Sequence, residues 1–451
     1  MGNLFEKPEK IFLLLAPLFI GVSLFLMPLN RVPDEASHAR ITWAILHEKS
    51  DKSIDWMEWD SKKVKVNRQE YRKLFTEKLD FSNEKFRVQF PLKRIMHIPQ
   101  LIGMTIGQVI YPSMGVMVMA GRIMNALFYI VSLYFIIKKI KFGKLALMFL
   151  ALLPIMVQQA ASMSYDVVNN VLIFGFLAVL SDLYSKRKFT KKNLSALLVI
   201  TFGLCVTKLN NLFLLVLLLP LNINFEGRWA IIGRMWERCQ FFVKKYRYIL
   251  LSSSFIISLF LAMLYFKDKG GITQFTQVML NTIFDNNVNP QLNTIIVTGM
   301  FGYLGVFDFQ LPMWLIMIDI AVLTILLMKK EEIKLGKTFG VLSGLMLPLQ
   351  VVVVIGGMYF AWTPLVLGKD ALISVGAQGR YFTPFLIYLS PLFISFKNKM
   401  SIEANEKSLT KFAVFILLLN FLITLYLILL VYWYPHSQAE WLINLRKSLV
   451  S

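Results

Sequence analysis

The sequence predicts an all-α integral membrane protein, a single polytopic domain with about eleven transmembrane helices and a large first extracytoplasmic loop. Three observations carry that expectation. Of 451 residues, 56% are hydrophobic and 17% charged, where a soluble domain has ~45–50% and ~25%. Mean hydropathy is +0.59, and several apolar runs approach the ~20 residues that cross a bilayer. The basic residues gather between those runs, as topology signals do. A soluble enzyme, a disordered chain and a fibrous chain are excluded. Two cysteines, Cys205 and Cys239, exclude a disulfide framework, and no CxxC or Cys/His zinc spacing occurs. The net charge of +21 reads as topology and not as a nucleic-acid surface.

The elements follow in order. Lys7 and Lys10 precede the apolar run 11–29, read as a retained signal anchor with its N-terminus in the cytoplasm. Residues 30–113 carry fifteen Lys/Arg, but long loops cross whatever their charge, so this segment is placed outside. Within it, 97–111 is apolar, short and holds Pro99; it is expected to lie on the outer surface. The next spans are 115–137, 145–160, 166–184, 194–206 and 209–221, with Lys208, Asn210 and Asn211 outside between the last two. The basic stretch 223–247 is a cytoplasmic loop, and span 248–266 follows it. Residues 267–311 form an outer loop and interfacial segment. Spans 313–328, 338–360, 382–396 and 411–434 complete the bundle, and 435–451 is an outer tail. On this reading the short inner segments hold 25 basic residues, and the outside, apart from the first loop, holds seven. Making 97–111 a span would invert every later loop and break the rule.

Four clusters could carry chemistry. In the first, Pro33 suits the first turn of a helix running to about Leu46. Asp34 and Glu35 would lie in that turn, near the positive end of the helix dipole. A carboxylate held ionised there could act as a general base on an acceptor hydroxyl; equally, acids in a first turn simply complement the dipole. His38 follows Asp34 by four residues, on the same face, and Arg40 closes the stretch. The second cluster is Ser162-Met163-Ser164-Tyr165-Asp166, with Asp166 at the outer mouth of a span as a functional acid or an N-cap. The third runs from Gly302 to Pro312, a shaped turn around Asp308. The fourth is Gly376 to Pro384, where Arg380, behind Gln378 and before Tyr381, could grip a phosphate through paired hydrogen bonds or serve as an interfacial anchor. Arg122, inside a span, must pair or face a cavity, and Lys208 is a further cation.

All the acids and cations singled out, Arg122 excepted, fall at the outer surface. That suits a lipid-phosphate-linked substrate: cations hold the phosphate, an acid activates the acceptor, and the lipid tail lies between spans. His38, His47, His97 and His436 show no paired metal spacing.

Pro33-Asp34-Glu35 with His38, Ser164-Tyr165-Asp166, Gly305-Val306-Phe307-Asp308 with Pro312, Trp362-Thr363-Pro364 and Gln378-Gly379-Arg380-Tyr381-Phe382-Thr383-Pro384 occur in that order. Together they resemble the DUF2142 family of bacterial membrane proteins, over roughly residues 10–395. That family is similar to the GT-C glycosyltransferases, multi-span enzymes that take a sugar from a polyprenyl-phosphate carrier outside the cytoplasm. The resemblance implies a GT-C-like fold in the bacterial cell membrane. It implies Asp34 or Glu35 as the catalytic acid, and 97–111 as a juxtamembrane helix. Lys208 resembles the lysine between spans five and six of such enzymes, and His38, Arg40, Arg122, Tyr165, Asp166, Asp308, Gln378, Arg380 and Tyr381 join it as expected substrate-binding residues. Two departures stand out. Val306-Phe307-Asp308 replaces the Trp-Leu-Asp of many members, and the long soluble C-terminal domain of some oligosaccharyltransferases is missing. The second favours a glycan, lipid or wall polymer over a peptide as acceptor.

The expected activity is sugar transfer from a polyprenyl-phosphate donor to a cell-surface glycan or lipid. Membrane lipid is the expected partner and nucleic acid is not. A divalent metal stays open as a cofactor, without histidine ligation. The rivals are a flippase for lipid-linked glycans, which would distribute ionisable residues through the membrane depth, and a non-catalytic partner in a polysaccharide assembly complex.

Overall fold

A computed structural model describes residues 5–47, 64–82, 85–89, 91–221, 225, 230–267, 271–290, 292–368 and 370–434. The expected outer tail 435–451, with His436, and residues 48–63, 83–84 and 90 of the first loop lie outside these residues.

The first half of the chain forms α1 (Pro8–Leu26), α2 (Glu35–Trp43), α3 (Arg68–Thr76), α4 (Ile98–Ile110), α5 (Met114–Lys139), α6 (Lys144–Ala151), α7 (Pro154–Ala160), α8 (Asp166–Lys186) and α9 (Lys191–Thr207). After a ten-residue 3-10 segment, Leu209–Leu218, come α10 (Ala230–Lys245), α11 (Arg247–Phe266), α12 (Gly271–Phe284) and the short α13 (Leu292–Ile296) and α14 (Thr298–Phe301). A two-stranded hairpin pairs Tyr303 with Gln310 and Leu304 with Phe309. The chain continues through α15 (Met313–Leu327), α16 (Lys337–Gly344), α17 (Met346–Ala361), α18 (Thr363–Val366), the 3-10 turns Gly379–Tyr381 and Thr383–Tyr388, α19 (Leu389–Ser395), α20 (Lys397–Met400) and α21 (Glu406–Ile428).

Among the described residues, six helical stretches are long and apolar enough to cross a membrane: Pro8–Leu26, Met114–Lys139, Asp166–Lys186, Arg247–Phe266, Lys337–Ala361 and Glu406–Trp433. Leu209–Leu218, Met313–Leu327 and Thr383–Ser395 are apolar but shorter. Of the about eleven expected spans, six are thus continuous apolar helices of spanning length. Pro154 has no N–H to donate, so the run 145–160 breaks into α6 and α7. The run 382–396 begins with 3-10 turns around Pro384 and becomes α-helical only at Leu389.

The apolar core is continuous, running from Phe12 and Phe19 of α1 through α5, α6 and α8 to Leu417 and Tyr432. Polar contacts define its two ends. At one end Lys141 N–H donates to Ser181 Oγ at 3.1 Å, Gly143 N–H to Glu331 at 3.1 Å and Lys330 N–H to the Ile402 carbonyl at 3.0 Å. Lys329 pairs with Glu406 at 2.9 Å, and Lys411 lies over the Phe5 ring. Basic residues of the 138–144, 329–337 and 397–411 clusters thus meet at one end. The residues singled out for chemistry lie at the other end.

Helix α4 corrects an expectation. Gly103 and Gly107 sit so close to Ala120, Gly121 and Met117 that a Cβ on Gly103 would lie 2.2 Å from the Ala120 carbonyl oxygen. As α4 ascends, its contacts descend α5, so α4 stands antiparallel against the first half of α5 and does not lie flat on a surface. Its 13 residues reach about 20 Å, too short for a hydrocarbon core of ~30 Å. The small-xxx-small spacing that permits this approach was present in the sequence.

Candidate functional site

The loop between α1 and α2 sets the site. Asn30 and Asp34 both take left-handed backbone, with φ of 59° and 62°. Asn and Asp tolerate this region better than other residues with a Cβ. Asp34 is the N-cap residue, and α2 starts at Glu35. The expected helix starting at Pro33 is therefore displaced by two residues, because the left-handed turn at Asp34 interrupts it.

That turn sends two adjacent carboxylates in opposite directions. Glu35 points inward and is fully enclosed with Arg122. Arg122 Nε donates to Glu35 Oε1 at 2.7 Å and Nη2 to Oε2 at 2.5 Å. The rest of the guanidinium donates to the carbonyls of Met27 at 2.7 Å and Pro28 at 2.9 Å. Glu35 also accepts the Asn30 N–H at 2.8 Å and the Met163 N–H at 3.2 Å. Two expectations are corrected here. Glu35 cannot serve as base, because both its oxygens are engaged and enclosed. Arg122 cannot hold substrate, because its fork is filled by protein acceptors. The pair instead pins the α1–α2 loop to α5 and to the 162–164 turn.

Asp34 points outward, with its side chain 52% exposed. Arg380 Nη2 donates to Asp34 Oδ2 at 2.8 Å. Arg380 Nε lies 3.6 Å from Asp166 Oδ2, and Lys208 Nζ donates to Asp166 Oδ1 at 2.8 Å. The four side chains form an alternating chain, Asp34–Arg380–Asp166–Lys208, from residues up to 346 positions apart in sequence. The Lys208 ammonium sits 4.1 Å from the centre of the Tyr381 ring and 5.5 Å from that of Tyr165, within cation–π range.

Each member is held by its local fold. Gln100 and Asn125 bind the carbonyl of Ser164, at 3.1 and 3.0 Å, and so shape the turn that launches α8 at Asp166. Ser164 Oγ accepts the Asp166 N–H at 3.2 Å. Lys208 stands between α9 and the 3-10 segment, and its neighbours fix it there. Asn211 donates to Asn169 of α8 at 2.6 Å, and Asn210 to Gln350 of α17 at 2.6 Å. Arg380 rides on a 3-10 turn whose Gly379 lies against the Gly299 backbone; a Cβ there would meet Gly299 C at 2.2 Å. Thr383 anchors the same turn to the Met300 carbonyl at 2.8 Å.

Beside the ionic chain lies an aromatic group of His38, His97 and Tyr165. His38 meets Tyr165 edge-on at 5.1 Å, and His97 lies 5.7 Å from His38 and 5.5 Å from Tyr165. Thr42 Oγ1 is 3.1 Å from His97 Nδ1. Burial lowers the pKa of both imidazoles, and that of His97, beside His38 and Arg94, falls to about 3. Both rings are neutral near pH 7. Sequence reasoning set His97 and Thr42 aside; their only signal was position, one turn beyond His38 for Thr42 and beside Pro99 for His97.

Two further expected residues lie elsewhere. Asp308 accepts the Val306 N–H at 3.2 Å and the Tyr432 hydroxyl at 2.6 Å. It shapes the hairpin and does not join the ionic chain. Arg40 is two residues past His38, about 200° around α2, and so off the face that His38 presents. Gln378 precedes the Arg380 turn, and its Oε1 is buried without a hydrogen-bond partner.

The arrangement has unused capacity for an anion. Arg380 is 4% exposed, yet its Nε and Nη1 lack hydrogen-bond partners, as does His38 Nδ1. Buried donors left open are costly, and an anionic oxygen beside Arg380 would satisfy them. Among the described residues, no group of three or more His, Cys, Asp or Glu is placed to hold a metal ion.

Fold and site together define a helical membrane protein with a charged, partly open site at one end of its bundle. The chain belongs to the family of predicted membrane proteins DUF2142, which it matches over residues 17–389. No curated protein and no solved structure matches it.

Proposed function

We propose that the chain is a GT-C-like glycosyltransferase that moves a sugar from a polyprenyl-phosphate carrier to a surface glycan or lipid acceptor. One observation carries this reading: a half-exposed carboxylate, Asp34, sits 2.8 Å from a buried guanidinium whose Nη1 has no hydrogen-bond partner. In this reading the carrier phosphate takes the Nη1 donor of Arg380, whose Nε faces Asp166 Oδ2 at 3.6 Å, and Lys208 adds a second cation. Asp34 accepts the proton of the acceptor hydroxyl as its oxygen bonds to the anomeric carbon. The bond from that carbon to the phosphate oxygen breaks, and the phosphate leaves with the electron pair. His38, Tyr165, Gln378 and Tyr381 line the approach. The basic end then faces the cytoplasm and the site end the outside, as the distribution of Lys and Arg favours.

The test is transfer of labelled sugar from a polyprenyl-phosphate donor by the purified protein in vesicles. The wild type is expected to form a glycosidic bond and Asp34→Asn to form it ~10²–10⁴-fold more slowly, with the variant inserted normally. Movement of the labelled lipid across the vesicle without bond formation would sink the enzyme reading in favour of a flippase.

A further inference from the structure

Helix α10, Ala230–Lys245, is not used by the proposed reaction. At about 100° per residue, most of its positions fall on three faces, while Phe241, 66% exposed, and the exposed Glu237 and Lys244 lie between the cation row and the face turned to the protein. Gly233, Trp236, Gln240 and Val243 form the face turned to the protein. Trp236 Nε1 donates to the Leu221 carbonyl at 3.3 Å, Gln240 Nε2 to the Leu219 and Leu221 carbonyls at 2.8 Å, and Gly233 packs on Phe225. An adjoining arc of about 80° carries Ile231, Met235, Cys239 and Phe242. Ile231 is 63% exposed, Met235 66% and Phe242 52%. Arg234, Arg238 and Lys245 then fall within about 40° of one another, beside the apolar arc, and all three are exposed.

The continuation of the chain says what covers this surface. Only Tyr246 separates α10 from α11. The hydrophobic window of α11 has a mean hydropathy of 2.2 and is 7% buried within the protein. A helix apolar on all sides and so little covered by protein belongs in lipid. Its first residue, Arg247, therefore stands at a membrane surface, and α10 is tied to the same surface. A row of apolar side chains flanked by a row of cations is the pattern of a helix lying in the headgroup region.

We infer that α10 docks on an anionic phospholipid surface, with Ile231, Met235 and Phe242 in the acyl boundary and Arg234, Arg238 and Lys245 on headgroup phosphates. The docking holds the far end of the segment that begins with Lys208, since α10 grips the Leu219 and Leu221 carbonyls. The inference is independent of the proposed reaction.

The test uses the full chain with Cys205→Ser, so that a nitroxide is carried by Cys239 alone, an exposed position at the edge of the apolar arc. The protein is placed in bilayer discs of phosphatidylcholine, with or without phosphatidylglycerol. Collisions of the label with oxygen and with a water-soluble nickel chelate are compared. In the anionic discs oxygen contact is expected to rise and nickel contact to fall relative to the zwitterionic discs. Each cation contributes about fivefold to that preference, so Arg234→Gln with Arg238→Gln removes most of the lipid dependence, and high salt weakens it. Equal nickel contact in both lipids would overturn the inference. So would spin–spin broadening between two copies, or a label shielded from both reagents whatever the lipid, since either puts protein on this face.

Discussion

Asp34 and Glu35 are neighbours in the chain, yet their surroundings are opposite. Glu35 is enclosed, paired bidentately with Arg122 and fastened to two backbone N–H groups, of Asn30 and Met163. Asp34 is half exposed and reaches one guanidinium that still has open donors. A closed ion pair with every acceptor filled can hold a fold but has nothing left to offer a ligand. An open one, at the end of a chain of alternating charges, can exchange a protein partner for a substrate anion. The left-handed turn at Asp34, φ 62°, separates the two roles by sending successive side chains to opposite sides.

Predictions can sharpen or break this contrast, and they run from large effects to small. Removing the carboxylate at the open site with Asp34→Asn is expected to lower transfer by ~10²–10⁴-fold, the range of a lost general base, while thermal unfolding in detergent stays near wild type. At the closed site, Glu35→Gln leaves Arg122 enclosed and uncompensated. It is expected to cost ~3–5 kcal/mol of stability, read as a large drop in melting temperature and yield; a wild-type melting curve would refute the structural role.

Acidification distinguishes the histidines from the ion pairs. His97 has a folded pKa of about 3 against 6.5 for the free group. As pH falls below 6.5 the unfolded chain gains a proton that the folded chain refuses, so the contribution of His97 to stability declines from about pH 6.5 down to about pH 3 and is constant below that. His97→Gln should flatten this part of the stability–pH curve, measured by unfolding at a series of pH values. An unchanged slope would contradict the neutral, buried assignment. The smallest effect concerns backbone strain. Asp34→Gly is expected to stay within ~1 kcal/mol of wild-type stability, because glycine adopts positive φ without the Cβ penalty, while transfer falls as in Asp34→Asn.

Much of the site was legible because its charges mark the ends of apolar runs. Asp166, Lys208 and Arg380 stand where an unpaired charge could not extend into lipid, so placing them at one surface needed no coordinates. Their partners were not legible, because pairing is set by packing: nothing local links Arg122 to Glu35, 87 positions away, or Arg380 to Asp34. For the same reason the two acids could not be told apart. A left-handed residue at an N-cap is decided by the loop's tertiary ties, here the Arg122 bonds to the Met27 and Pro28 carbonyls. The spans were legible as apolar runs but not as continuous helices, since the breaks at Pro154 and around Pro384 depend on neighbours that accept irregular backbone. The course of α4 was legible in principle from Gly103 and Gly107, whose spacing permits close helix packing.

The most direct measurement sets the two neighbours side by side in one preparation: sugar transfer and melting temperature for Asp34→Asn and Glu35→Gln in the same vesicles. Transfer should fall ~10²–10⁴-fold in Asp34→Asn at wild-type stability, and stability should fall in Glu35→Gln. Transfer that persists near the wild-type rate in Asp34→Asn, or a loss of stability there as large as in Glu35→Gln, would contradict the division between an open, reactive carboxylate and a closed, structural one.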